Sequence, residues 1–302
     1  MSRITSYGNI GSRLLGIALK EAVRRAISTI RAERFIFETT AKLGYSGELN
    51  DLVTSADKKA QQIYIKLLKE CFPLCGIVAE EQNLKVRCRF KGHVVFFTVD
   101  PMDGTKAFAR RQSHGIGTML SLVVDGRVVA AYIGDVMTQE IYGFRPGKTT
   151  VHRISEFGHA EVMKINPRRK LSDQFVLLRK RPEQHSELIQ SLINGKEKKA
   201  GLFRDLEVTG GSIGTSMARL WKGEVGAAIL DPGYETPWDR CPIVGISQKL
   251  DFVFLRPTKN GKLQIFKPRI SSKIQKIGHE VLVVHRSRLE EIRNFMRSAK
   301  LR

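Results

Sequence analysis

Apolar residues recur at helical spacing at the start of the chain, then give way to short apolar runs bounded by turn residues. Ile10, Leu14, Leu15, Ala18, Ala22 and Ile27 approximate one helical face, which predicts a helix over about 10–43. A second helix is predicted over 57–71, where Ile63, Leu67 and Cys71 recur four residues apart. Strands are predicted at about 75–79, 94–100 and 116–124. Asp125-Gly126 is then a hairpin signal into Arg127–Asp135, with another strand near Glu140–Phe144. Pro146-Gly147 marks a linker. Beyond it, strand Phe175–Leu178, helix Glu183–Ile193, helix Ser212–Lys222, strand Gly226–Leu230, helix Trp238–Leu250 and strand Asp251–Leu255 follow one another, and strand Val281–Val284 leads into helix Arg288–Ala299. In the first half the alternation of polar and apolar residues predicts a largely antiparallel sheet within an α+β subdomain over 1–147, and the later elements predict an α/β subdomain over 148–302 that completes the site.

The candidate chemistry gathers at the ends of the predicted strands. After the apolar run Val94–Phe97 comes Val99-Asp100-Pro101-Met102-Asp103-Gly104-Thr105, which sets two carboxylates three residues apart where the chain must turn. Pro101 fixes the backbone so that Asp103 can return toward Asp100, and the Met102 carbonyl is free to face the same point. Gly104 leaves room for a close approach, so the amides of 104 and 105 could cradle an anion, aided by a helix starting near Thr105. Oxygen donors in this pattern suit a hard cation such as Mg²⁺ held beside a phosphate. Two more acidic sites join it. Ala79-Glu80-Glu81-Gln82 ends another predicted strand, and Trp238-Asp239 opens a helix-like run after a turn-rich segment. Taken singly, Glu80 and Glu81 read as solvated loop carboxylates and Asp239 as a helix N-cap; beside the Asp100–Thr105 string they read as one set.

Together these motifs resemble the inositol monophosphatase superfamily of Mg²⁺-dependent phosphomonoesterases. The matching segments are Ala79-Glu80-Glu81, Asp100-Pro101-Met102-Asp103-Gly104-Thr105, Gly214-Thr215-Ser216 and Trp238-Asp239. Upstream, Asp51-Leu52-Val53-Thr54-Ser55-Ala56-Asp57 looks like the family's lead into its second helix, and the order fits over about 10–295. The resemblance implies a layered α-β-α-β-α sandwich with the metals between the two subdomains. It implies that Glu80, Asp100 and the Met102 carbonyl bind one Mg²⁺, that Asp100, Asp103 and Asp239 bind a second, and that a looser third ion lies near Glu80. Thr105 and Glu80 would orient and deprotonate the attacking water, with Asp57 supporting the Thr105 hydroxyl. Asp103, Gly104, Thr105, Gly214, Thr215 and Asp239 would contact the substrate.

The substrate is left open between two phosphate esters. Lys106-Ala107-Phe108-Ala109-Arg110-Arg111 and Cys241 look more like the 3′(2′),5′-bisphosphate nucleotidase branch, where Lys106, Arg110 and Arg111 would face a second phosphate. Inositol monophosphate and 3′-phosphoadenosine 5′-phosphate are the competing substrates, with fructose 1,6-bisphosphate behind them. Asp231 or Glu235 could hold a substrate hydroxyl. Ala79 stands where the family often has glycine, and Ile246–Leu250 lacks the usual glycine-rich end.

Composition changes the picture in two respects. Cys71, Cys75, Cys88 and Cys241 show no zinc-type spacing and read as reduced thiols of a cytoplasmic protein. No apolar run approaches a membrane span. The second respect is charge: 51 Lys and Arg against 30 Asp and Glu give a formal +21, more than a small acidic substrate requires. Clusters occur at Lys164–Lys170, Arg179–Arg181 and Lys196–Lys199 and from Arg256 onward. A non-catalytic, nucleic-acid-binding relative is the alternative this charge raises. It is not favoured, because no aromatics are interleaved with the basic clusters. The partner expected is a small phosphorylated substrate, and the resemblance also implies a homodimer.

Overall fold

The structure is a computed structural model that describes residues 6–7, 10–45, 47–49, 51–195, 201–258 and 260–298. The Lys196–Lys199 cluster and Ala299 lie outside the described residues.

Helix α1 (Ser12–Glu33) buries Leu15, Leu19, Ala22, Val23, Ala26, Ile27 and Ile30, a stripe at helical spacing. Leu14, expected on that face, is 59% exposed. The helix also stops well short of 43. Thr39–Lys42 is instead a strand, rich in β-branched threonine, paired antiparallel with Asp51–Thr54. Helix α2 (Ser55–Cys71) starts from a capping box in which Thr54 and Asp57 satisfy each other's backbone amides.

Both helices cover one face of an eight-stranded sheet. Its order is Ala160–Val162, His152–Ile154, Ile141–Phe144, Arg127–Asp135, Gly117–Val124, Val95–Asp103, Gly76–Ala79 and Lys85–Val86. All neighbours are antiparallel except Gly76–Ala79 with Val95–Asp103. The sheet is thus largely antiparallel, as expected, but two of its strands lie beyond the linker expected at Pro146-Gly147. Its central strands are buried on both faces. Val95, Phe97 and Val99 pack toward α1 and α2, whereas Phe96 and Val123 pack with Trp238 and Cys241 on the other side. A short helix α3 (Thr105–Ala109) follows the Val95–Asp103 strand.

The second half supplies helices α4 (Glu187–Asn194), α5 (Ile213–Lys222), α6 (Pro237–Lys249) and α7 (Leu289–Ser298). The helix expected from Glu183 begins only at Glu187, because Pro182–Gln184 forms a 3-10 turn. A six-stranded sheet runs in the order Asp205–Val208, Phe175–Leu178, Val225–Leu230, Val281–His285, Phe252–Pro257 and Leu263–Phe266. Met217, Trp221, Ile243 and Ile246 of α5 and α6 fill the space between Met119 and Ile133 of the first sheet and Leu177, Phe254 and Val283 of the second. Ile189 and Leu192 of α4, with Ile292 and Met296 of α7, cover the far face on Val176, Ile229 and Leu282. The layers are therefore α-β-α-β-α. All four cysteines are free. Among the described residues no helix is long and apolar enough to cross a membrane.

Candidate active site

A β-bulge makes the site. Val95–Asp103 pairs regularly with Gly117–Val124 as far as Asp100 opposite Met119, and then Asp103 stands opposite Gly117. Three steps on one strand match two on the other, so one residue is extra. In a regular strand Asp100 and Asp103 would project to opposite faces; the bulge lets both converge. Asp239 arrives from the first turn of α6, with its amide donating to Thr236 Oγ1 at 3.3 Å. One carboxylate oxygen each from Asp100, Asp103 and Asp239 lie within 4.8 Å of one another.

The surroundings of the two strand carboxylates differ. Asp103 Oδ2 accepts from Gly214 N at 2.7 Å and Ser212 Oγ at 2.5 Å, and Oδ1 accepts from Ile213 N at 3.1 Å. Asp100 Oδ1 is buried with no hydrogen-bond partner. Burial, followed by the charges of Glu80, Asp239 and Asp103, pushes the Asp100 carboxyl well above the usual range. Burial and then Asp103 push Asp239 up to about 6. Burial also raises Asp103, against the pull of its hydrogen bonds from Ser212 and Gly214. An orphaned buried oxygen within a set of mutually repelling carboxylates is what a bound divalent cation would relieve, and the all-oxygen donors fit Mg²⁺.

Glu80 stands beside this cluster. It follows strand Gly76–Ala79, and Lys42 Nζ lies 2.9 Å from both Glu80 Oε1 and Glu81 Oε1. Burial pushes Glu80 up to about 8, while Lys42 opposes that shift. Gln61 of α2 holds the turn by donating to Glu81 O and accepting from Glu81 N, each at 2.9 Å. Thr105 Oγ1 donates to Asp57 Oδ1 at 3.0 Å and to the Met102 carbonyl at 3.1 Å. The Asp57 carboxyl, fully buried at the head of α2, is pushed up to about 6 by that burial. Gly104 has φ +93°, and a Cβ there would collide with Gly115 O and lie 2.8 Å from Ser212 N, so only glycine lets the two halves close here.

A cavity of about 360 Å³ opens next to the three carboxylates, lined among others by Asp103, Arg179, Asp231, Tyr234, Glu235 and Asp239. Arg179 follows strand Phe175–Leu178 and is fixed by bonds to Gly211 O at 2.7 Å and Ser216 Oγ at 3.2 Å. Asp231 and Glu235 both reach this cavity, and Glu235 pairs with Arg240 at 3.6 Å. Lys106, Arg110 and Arg111 do not line it; Arg110 Nε instead bonds Lys106 O. Gly214 lies against Asp103, but Thr215 lines a separate cavity with His114, Glu207 and Arg219. Lys42 and Arg179 are the side chains that sequence reasoning did not place. Lys42 fell inside the overlong first helix. Arg179 carried a usable signal, a cation directly at the C-terminal end of an α/β strand.

The sequence model described as the inositol monophosphatase family matches residues 14–287. Nus factor SuhB of Vibrio cholerae is 32% identical over 98 residues, 32% of this chain and 35% of that protein. Inositol-1-monophosphatase of Bacillus subtilis is 33% identical over 94 residues, 31% of this chain and 34% of that protein. The chain thus aligns with about a third of the length of these relatives. Among solved structures, an IMPase/NADP phosphatase complexed with NADP and Ca²⁺ superposes with TM-score 0.67 at 19% identity, covering 94% of this chain and 95% of that one. A staphylococcal IMPase complexed with products gives TM-score 0.65 at 18% identity, covering 94% and 95%.

Proposed function

The chain belongs to the inositol monophosphatase family, and on that premise we propose that it is a Mg²⁺-dependent phosphomonoesterase acting on a small anionic phosphate ester. The observation that carries this reading is the buried, unpartnered Asp100 Oδ1 on a carboxylate that, with Asp103 and Asp239, forms a set bringing one oxygen each within 4.8 Å of one another. Asp100, Asp103 and Asp239 would hold a cation, with Glu80 and the Met102 carbonyl at its edge. When bound, Mg²⁺ supplies charge neutralisation at the phosphoryl oxygens and a lowered water pKa. Thr105, whose hydroxyl proton is committed to Asp57 and the Met102 carbonyl, offers its oxygen lone pairs to orient water. Asp57 acts through Thr105 and is a positioning residue. The Asp103 carboxylate, gripped by the first turn of α5, fixes the substrate-facing wall.

For the substrate, Arg179 lines the same cavity as Asp103 and Asp239, and its cation favours an ester with a second anionic group. A bisphosphate nucleotide suits that wall better than inositol monophosphate. The NADP complex of a structural neighbour supports the same direction. The nucleic-acid-binding alternative leaves the repelling carboxylates without a use. The test is phosphate release, with and without Mg²⁺, from inositol 1-phosphate, 3′-phosphoadenosine 5′-phosphate and NADP. Mg²⁺-dependent release supports the reading; none from any ester, with folded protein, overturns it.

A further inference from the structure

A second cavity, of about 500 Å³, is lined by Arg13, Lys20, Tyr132, Arg145, Lys148 and His152, together with small and apolar neighbours. It lies between α1 and the strands Arg127–Asp135, Ile141–Phe144 and His152–Ile154, and shares no lining residue with the carboxylate cavity. No Asp or Glu lines it. Some cations elsewhere on the surface are matched by carboxylates, as Arg153 is by Glu140 and Arg219 by Glu207 and Glu224. Among the described residues Arg13, Lys20, Arg145 and Lys148 have no such partner.

The cavity is also built rather than incidental. Arg145 Nη1 donates to Ser12 Oγ at 3.1 Å, and its chain crosses α1 at Gly16, where a Cβ would lie 2.8 Å from Arg145 Cδ and 3.2 Å from Tyr132 Oη. Glycine at 16 therefore lets the guanidinium reach the cavity. Tyr132 is buried, and burial keeps its phenol protonated, a neutral donor in the wall. Burial and then the neighbouring Arg24 and Arg145 lower Lys20; burial and then Lys20, Lys148 and Arg145 lower His152. These like charges repel one another until an anion enters.

We propose that this cavity binds a small molecule carrying a diphosphate group. A phosphate group brings about −1.5 to −2 at neutral pH, so the four cations of the lining match two such groups. The volume suits a small molecule. The site needs no divalent cation, because its own charges do the neutralising.

The test is calorimetric titration of inorganic pyrophosphate into the full chain, with chelator present and no divalent cation. Saturable binding is expected in the wild type and in Asp100→Asn, whose altered site lies elsewhere. A Lys20→Gln/Lys148→Gln protein, both positions being partly or fully exposed, should unfold at the wild-type temperature and bind at least about tenfold more weakly, as the loss of two charge-assisted contacts requires. No saturable binding in the wild type, or unchanged affinity in the double variant, overturns the proposal. Equal affinity for orthophosphate overturns the two-phosphate assignment. Because the carboxylate site plays no part in this titration, its result is independent of the phosphatase assay.

Discussion

Asp103 Oδ2 accepts the Gly214 amide proton across 2.7 Å, so the carboxylate ending a strand of the first sheet also caps helix α5 beneath the second. Ile213 N and Ser212 Oγ complete the grip. Amides at a helix N-terminus favour a negative charge. Asp100, three residues earlier, has one buried oxygen with no partner at all. Of the two carboxylates of this motif, one is held by three donors and the other keeps an oxygen unpaired.

Asp103→Ala removes an anion that satisfies three donors, two of them on α5. The metal-free protein should lose about 2–3 kcal/mol, the usual worth of a hydrogen-bonded charge whose donors are then orphaned. Urea unfolding of the two proteins measures it. An unchanged midpoint would show that the cap does not hold the halves together.

Asp100→Asn should instead raise the melting temperature of the metal-free protein. The folded state holds the Asp100 proton more tightly than the unfolded chain does. Stability is therefore lost as pH rises above the unfolded value and toward the folded one. Asparagine removes this penalty, so the variant's advantage should grow as pH rises above the ordinary aspartate value of 3.8 in the presence of chelator. Scanning calorimetry at rising pH decides it, and an advantage that shrinks with pH contradicts the assignment.

Lys42 competes with any cation for Glu80, since its ammonium lies 2.9 Å from that carboxylate. Lys42→Gln should lower the Mg²⁺ concentration needed for half-maximal activity severalfold. A Mg²⁺ titration of phosphate release reads this directly. A raised requirement would mean that Lys42 organises Glu80 for the ion instead of competing with it.

Arg179→Gln should raise KM for a doubly anionic ester about tenfold, the worth of one charge-assisted hydrogen bond, while changing KM for inositol 1-phosphate far less. Steady-state kinetics on both esters give the ratio. Equal effects on both would place Arg179 at the transferred phosphate.

Much of this site was legible in the chain because its carboxylates sit directly after apolar strands. Asp100, Asp103 and Glu80 follow Val95–Val99 and Gly76–Ala79, and Asp239 follows a turn into a helix. The bulge that brings Asp100 and Asp103 together has no signature beyond Pro101. The hairpin carrying Lys42 was hidden because helical spacing alone does not reveal where α1 stops. Strands Asp205–Val208 and Leu263–Phe266 sit at the sheet edges, half-exposed, without the apolar run that marked their inner neighbours. Antiparallel pairing in the first sheet was anticipated from alternation, yet its inner strands are buried on both faces; the order of hairpins carried the right answer.

Phosphate release from 3′-phosphoadenosine 5′-phosphate, followed across a Mg²⁺ titration for the wild type and Asp100→Asn, is the most direct measurement. The carboxylate cluster predicts turnover that rises from near zero with Mg²⁺ in the wild type and falls by several orders of magnitude in the folded variant. Turnover that is independent of Mg²⁺, or unaffected by Asp100→Asn, would contradict a cation-dependent phosphatase site at Asp100, Asp103 and Asp239.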